Sequence, residues 1–327
     1  MRVLRVFLIF ALAVCHAAAH ACIWEYATKT DGKSVVVNGL GRMAPMRISY
    51  PAGHWEEKLK ENESKCVATA EPAACNDRAV ALIHLGRAKE AITQLEALEK
   101  EKPGSYQTAA NLGTAFELSG QDEQALKWIR EGIRRNPNSH AGTEWLHVRI
   151  LEAKLALARD REWLRTHSPI DGQAHGPTGN DPAPVWRAEG VMDHAGRSLK
   201  LDEVQQAISY QLQERLQFVK PPEPIVGELF LELASLVALK ATVEDALSVL
   251  KNSADFSPVR VELLAQRRQH FQDLVARNPN SGKHADPSGG SGSATTTMTI
   301  VVGVLLLFSV ALAWWLWRRR SARGSAS

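Results

Sequence analysis

The chain has 327 residues, with 39 lysines and arginines against 36 aspartates and glutamates. The small positive balance comes from the two ends, so the part between them carries more acidic than basic residues. No basic stripe is apparent there, which argues against a nucleic-acid partner. The basic residues at the ends are Arg2, Arg5, Arg318, Arg319, Arg320 and Arg323.

The first 21 residues have the pattern of a secretory signal peptide. Arg2 and Arg5 are followed by the apolar run 6–14 and by the small-residue motif Ala19-His20-Ala21. The apolar run is too short to span a bilayer, and the motif is typical of a cleavage site. We therefore expect cleavage before Cys22 and export of the mature chain.

Residues 22–71 form a leader with few helical signals. Val35-Val36-Val37 is a short β-branched run beside a possible turn at Asn38-Gly39. Residues 55–65 could form a helix, and we expect the leader to pack on the first helical element after it.

Three cysteines remain after removal of the signal peptide, which fits an oxidising compartment. Cys66 and Cys75 are close in sequence, and a disulfide between them would stabilise the fold by about 2.7 kcal/mol through loop closure. The alternative is a pair of buried free thiols. Cys22 would then be unpaired, and lipidation of Cys22 is a further alternative that Ala19-His20-Ala21 supports poorly.

Two units of 34 residues come next, at 72–105 and 106–139. In the second unit, Gly113 and Ala125 place small residues where two helices would cross closely, and Gly120 would end the first of these helices. The positions of the first unit equivalent to Gly113, Ala125 and Gly120 hold Ala79, Ala91 and Gly86. The first unit departs from the pattern at Arg78, where the second has Leu112, and at Leu98. The other repeat positions are Leu82, Leu95 and Pro103 in the first unit and Phe116 and Pro137 in the second.

This pattern resembles the tetratricopeptide repeat, a helical hairpin that buries its apolar face by stacking on neighbouring hairpins. The resemblance implies an all-α helical-hairpin solenoid that binds proteins or peptides on the inner face of each first helix. A degenerate third unit covers 140–167, where no second helix follows in phase, and completes a repeat block at 72–167.

A loop-rich connector, 168–200, leads to a second helical block at 201–277. Within it, 201–219 has the period of an amphipathic helix. Residues 227–260 resemble another repeat unit, with Ala241 where the family prefers glycine. An ordinary helical hairpin would give the same periodicity.

The C-terminal region has the composition of a tether and a membrane anchor. Residues 278–297 are rich in Gly, Ser, Pro and Thr, as in a flexible linker. Residues 298–317 carry no charge and are long enough to span a bilayer, and the basic tail 318–327 predicts a cytoplasmic end. A removable sorting signal, suggested by Gly289-Gly290, is the alternative.

The resemblance places partner-binding residues along the inner face of the repeats. The acidic members suit a helix or extended segment with some basic character. An ordinary solvated surface is the alternative. The candidate positions are Asn76, Val80, Ile83, His84, Gln107, Ala110, Thr114, Glu117, Glu144, Val148 and Glu152.

No catalytic, cofactor or metal motif stands out in the sequence. Glu144 and His147 have di-iron spacing, but no second such motif exists. We expect a non-enzymatic, membrane-anchored scaffold with an extracytoplasmic domain, periplasmic in a bacterium, that binds protein partners. The alternative is an exported enzyme or metal-binding protein with its site in the leader or the 171–200 loop, for example at His175, Asp181, Asp193 and His194.

Overall fold

The computed structural model describes residues 24–40, 43–69, 71–187 and 190–285. The predicted signal peptide, the segment 298–317 and the basic tail lie outside these residues. Within the described residues, no helix is long and apolar enough to cross a membrane.

Helices dominate the described chain, and a two-stranded sheet precedes them. The strands are β1 (Trp24–Thr28) and β2 (Ser34–Asn38). The helices are α1 (His54–Thr69), α2 (Pro72–His84), α3 (Ala88–Glu101), α4 (Tyr106–Leu118), α5 (Asp122–Arg135), α6 (Glu144–Arg159), α7 (Trp163–Thr166), α8 (Leu201–Arg215), α9 (Pro224–Lys240), α10 (Val243–Asp255) and α11 (Val261–Arg277).

The helical hairpins α2–α3 and α4–α5 occupy the two predicted repeat units. Pro72 opens α2 in the first turn, where its missing N–H costs no hydrogen bond. The Ser105 side chain caps α4 by accepting from the Thr108 N–H. Gly86 and Gly120 come after α2 and α4 with φ of 74° and 78°, a left-handed conformation that glycine adopts without strain.

Gly113 allows the close crossing of α4 and α5, as predicted, but its neighbour differs from the prediction. The sequence pattern suggested Ala125 opposite Gly113. A Cβ at Gly113 would instead lie 2.4 Å from Ile129 Cδ1 and 3.2 Å from the Ile129 backbone nitrogen. Ile129, one turn beyond Ala125, therefore covers the glycine.

The leader is more regular than its sequence suggested. The predicted helix at 55–65 is confirmed within α1, and Cys66 and Cys75 form a disulfide that joins α1 to α2. The predicted disulfide is thus confirmed.

Helix α6 contributes to two hydrophobic cores. Leu151 packs with the α2–α5 hairpins, whereas Trp145, Leu146 and Ile150 pack with α8, α9 and α10. Only the four-residue helix α7 comes after α6 in the 140–167 unit. The missing second helix agrees with the absence of a second-helix pattern in the sequence.

The hairpin α9–α10 lies within the predicted 227–260 unit. Thr242 caps α10, and the preceding Ala241 has a negative φ, so this turn does not need glycine. Gly227 lies against Pro258, where a Cβ would be 2.7 Å from the proline nitrogen.

Two buried arginines hold the connector against α9 and α11. Arg267 donates to Ser235 Oγ at 2.6 Å and to the carbonyls of Thr178 and Asp181, both at 3.2 Å. Arg260 donates to Glu228 at 2.6 Å and Glu232 at 2.9 Å on α9, and to Asn180 Oδ1 of the connector at 3.2 Å. Charge-assisted hydrogen bonds therefore hold segment 178–181 of the connector in place.

The chain divides into two compact units. The described part of the smaller unit consists of 24–26, 36–38 and 282–285, in which the Tyr26 N–H donates to the Lys283 carbonyl at 3.0 Å. The larger unit holds all the described helices. There, Asn278 donates to Thr28 Oγ1 at 2.9 Å, so the start of the predicted flexible linker is hydrogen-bonded rather than free.

Candidate functional site: a polar cluster and an arginine cleft

The predicted partner-binding residues differ widely in exposure. Gln107 is exposed, and the half-buried residues are Val80, His84, Thr114, Val148 and Glu152. The buried residues are Asn76, Ile83, Ala110, Glu117 and Glu144. The expectation that Glu117 and Glu144 lie exposed on a mixed polar and apolar groove is therefore wrong, because both are buried.

Asn76 is buried because it links two neighbouring first helices. It donates to Thr108 Oγ1 at 3.1 Å and accepts from Asn111 Nδ2 at 2.9 Å. These bonds join α2 to α4 and satisfy the amide without a partner protein.

His84 is covered by the leader. Its ring stacks on Trp55 with centroids 3.6 Å apart, and Phe218 packs 4.7 Å from it. Burial and the nearby His54 lower the pKa of His84 to about 4. His84 therefore has the environment of a neutral packing residue.

Glu117 lies at the centre of a buried polar cluster, which we define as Glu117, Glu144, His147, Lys154 and Arg215. Arg215 Nη1 and Lys154 Nζ donate to Glu117 Oε1 at 2.6 and 3.2 Å. His147 Nε2 lies 2.7 Å from Glu117 Oε2. The cluster connects α4, α6 and α8. Its three cations face two carboxylates, and Lys154 also pairs with Asp122 at 2.9 Å, so each charged group has a counter-charge.

Glu144 extends the cluster towards solvent. Its carboxylate lies 3.3 Å from His147 Nδ1 and accepts a short hydrogen bond from His140, which is partly exposed. Both ring nitrogens of His147 thus face carboxylate oxygens. Because ionised carboxylates only accept hydrogen bonds, this geometry favours the doubly protonated imidazolium.

The pKa values agree with this arrangement. Burial alone would raise the pKa of Glu117, but Arg215, His147 and Lys154 hold it well below its ordinary value. Burial alone would likewise lower the pKa of His147, but Glu117 and Glu144 raise it. For both Glu117 and His147, the nearby opposite charges therefore outweigh the effect of desolvation on the pKa.

A cavity of about 110 Å³ opens beside the polar cluster. Thr114 and the 37% exposed Leu118 of α4 line it, together with Phe218 after α8. Arg215 also lines the cavity, and among the described residues its buried Nε has no hydrogen-bond partner. An unsatisfied buried donor is costly, so a ligand acceptor that reached it would bind favourably.

A second, larger cleft of about 400 Å³ lies between α5, α6 and the connector. We call it the arginine cleft. Its polar wall contains Arg130, Arg134, Arg149 and Glu152, its apolar wall Ile133, Trp145 and Val148, and its connector side Met192, Asp193 and His194.

The third unit of the predicted inner face is therefore divided between two cavities. Glu144 lines the cavity beside the polar cluster, whereas Val148 and Glu152 line the arginine cleft. The two cavities share no lining residue.

The described part of the connector does not form the proposed metal site. His175 lies 2.5 Å from the Asn180 amide, and Asp193 accepts from Arg197 at 3.0 Å. Asp181 Oδ1 accepts from a turn N–H within the connector. Across the described ranges, no group of three His, Cys, Asp or Glu side chains is placed to hold a metal ion.

Sequence reasoning missed the cations of both regions. Arg215 is 98 residues from Glu117, and no local pattern connects them. A signal for the cleft was present, because Lys127, Arg130 and Arg134 fall three and four residues apart on α5 and so share one face. The overall acidic balance obscured this local basic surface.

No family model matches the sequence, and no curated protein matches it. Among solved structures, a thermophilic TPR protein of Thermus thermophilus is similar at 15% identity and a TM-score of 0.32, covering 67% of this chain and 92% of that one. A chain from the structure of Naa15/Naa10 bound to HypK-THB is 14% identical with a TM-score of 0.28, covering 68% of this chain and 33% of that one.

The described helical hairpins fit the repeat pattern that the sequence predicted. Because both identities and both TM-scores are low, neither protein's activity is transferred to this chain.

Proposed function

We propose that this protein is a non-catalytic scaffold that binds protein partners outside the cytoplasm and is held to the membrane by residues 298–317. The stacked helical hairpins support the binding role, since such stacks offer extended surfaces to other proteins. The predicted signal peptide and the uncharged segment 298–317 support the location.

The observation that carries the binding role is the cavity beside the polar cluster. Half-buried Thr114 and exposed Leu118 line it, together with Arg215, whose buried Nε has no hydrogen-bond partner among the described residues. A peptide segment could place an apolar side chain against Leu118 and Phe218 and a polar group beside Arg215. The polar cluster holds α4, α6 and α8 in place, so little conformational entropy would be lost on binding.

A photoreactive amino acid at Thr114 of the full-length protein tests this proposal in cells. We expect specific adducts with a partner protein at Thr114. The matched control is the same group at Glu96, an exposed position on the second helix α3. Identical adducts at the two positions, or none at Thr114, would count against the assigned surface.

Protease protection tests the location separately. Protease added to intact spheroplasts should digest the repeat block, because the basic tail is expected inside. Survival of the repeats until the membrane is broken would reverse the proposed topology.

A further inference from the structure

The arginine cleft has more cationic than anionic charge at its polar wall. Arg130 and Arg149 share the single carboxylate of Glu152, at 2.7 and 3.0 Å. One guanidinium charge therefore has no counter-charge within this triad. At the edge of the cleft, Asp193 is already engaged by Arg197, which lies at 3.0 Å.

The donors of these arginines are also incompletely used. A guanidinium group carries five N–H donors in a fixed plane. Arg130 directs Nη2 at Glu152, and Arg149 directs Nη1 at the same carboxylate. Both side chains are partly exposed, at 57% and 38%, so a ligand can reach their remaining nitrogens. A second carboxylate would complete an alternating set of charges.

The apolar residues that line the cleft favour an apolar group of a ligand. Trp145 and Ile133 are almost fully buried beneath it, and Val148 is half-buried. Met192, which is 45% exposed, projects from the connector side. A cleft of about 400 Å³ has room for one or two side chains of a bound segment.

We propose that the arginine cleft binds an acidic segment of a partner protein. A carboxylate of the segment pairs with Arg130 and Arg149, and a neighbouring apolar side chain packs on Trp145 and Val148. This surface is separate from the one at Thr114 and Leu118.

A protein segment fits these features better than a nucleic acid does. Glu131, which binds Arg134 at 2.7 Å, and Glu152 both lie within the basic surface. Two carboxylates among the arginines would repel a continuous row of phosphates but leave room for a single carboxylate. The apolar wall has no role in binding a phosphate backbone.

A peptide selection tests the proposal. The full-length protein in nanodiscs is used to select from a phage library of random dodecapeptides. We expect about tenfold enrichment of Asp or Glu next to a large apolar residue, which corresponds to about 1.4 kcal/mol. Synthetic selected peptides should bind at least about tenfold more weakly when their carboxylates are replaced by amides.

Charge reversal locates the site. Arg130→Glu/Arg149→Glu should abolish the acidic enrichment. Arg159→Glu/Arg161→Glu, which makes the same change in net charge at exposed positions after the cleft-lining part of α6, should retain it. If the cleft double variant has a lowered melting temperature, the single change Arg130→Gln serves instead and should still weaken the selected peptides.

Three outcomes would overturn the proposal. The first is a selection without acidic enrichment, and the second is equal enrichment in the cleft variant and the wild type. The third is displacement of the selected peptide by a single-stranded oligonucleotide at equal charge concentration, which would identify a general polyanion surface. Because the Thr114 crosslink measures another surface, its result does not affect this one.

Discussion

The polar cluster and the arginine cleft both take charged residues from α6, yet their environments differ. His147 and Glu144 are buried, and each is a counter-charge of the other. Arg149 and Glu152, one or two turns away on the same helix, are half-buried. In the cluster each charge is matched within the protein. In the cleft two arginines share one carboxylate, and water can solvate the excess positive charge. Burial therefore decides which charged residues stabilise the fold and which remain available to a ligand.

This difference has an energetic cause. A buried ion that loses its partner keeps its desolvation cost, and removing one member of a buried pair typically costs about 3–5 kcal/mol. An exposed pair is worth about 0–1 kcal/mol, because water and salt replace much of the lost interaction. The same type of mutation should thus have very different effects in the two regions.

The largest expected effect is that of Glu117→Ala. It leaves Arg215, Lys154 and His147 without their shared carboxylate and should lower the free energy of unfolding by about 3–5 kcal/mol. The matched control, Glu152→Ala in the cleft, should lower it by less than about 1 kcal/mol. Urea denaturation of both variants measures the contrast. Equal losses would mean that burial does not separate the two regions.

A smaller loss of stability is expected when α4, the helix that carries Glu117, is displaced. Gly113→Leu would place side-chain atoms against Ile129 and should destabilise the fold by about 1–3 kcal/mol. Gln124→Leu, at an exposed position on α5, is the control and should stay near the wild-type value. A Gly113→Leu variant that melts like the wild type would contradict the close crossing of α4 and α5.

The smallest expected effect is the pH dependence of the polar cluster. The raised pKa of His147 means that its protonation stabilises the fold below the ordinary histidine pKa of about 6.5. This stabilisation is lost as the pH rises through the raised folded-state value. Between pH 6 and pH 9 we therefore expect the melting temperature to fall.

Two substitutions sharpen the pH measurement. His147→Gln should flatten this part of the profile, whereas His194→Gln, at the exposed edge of the arginine cleft, should not. The lowered pKa values of Glu117 and Glu144 act in the opposite sense, because their stabilisation is present above about pH 4.5 and lost in stronger acid. Equal pH profiles for the two histidine variants would show that the cluster does not govern this dependence.

Local signals were sufficient to predict the hairpins and the disulfide. Gly86 and Gly120 mark turns that need a positive φ, and Gly113 marks a close helix crossing. The pairing of Cys66 with Cys75 is explained by their short separation at the junction of two helices. These features depend on residues within one or two helices, so periodicity and spacing contain the necessary information.

The candidate site was predicted only in outline. Thr114, a predicted inner-face residue, lines a cavity, whereas Glu117 and Glu144 are buried. Periodicity cannot show which distant helix covers a face. Arg215 comes from α8, beyond the connector, and Arg267 fixes that connector by donating to Ser235 and two carbonyls. Neither arginine occurs in a local pattern that predicts its burial.

The sequence by itself determined the helical hairpins, their turns, the close crossing at Gly113 and the disulfide, because each is encoded by neighbouring residues through backbone conformation, residue size and loop length. Only the tertiary structure decided the roles of the charged residues. Whether a carboxylate or guanidinium is stabilising or available for binding depends on desolvation and on counter-charges, and both are set by helices far apart in the chain.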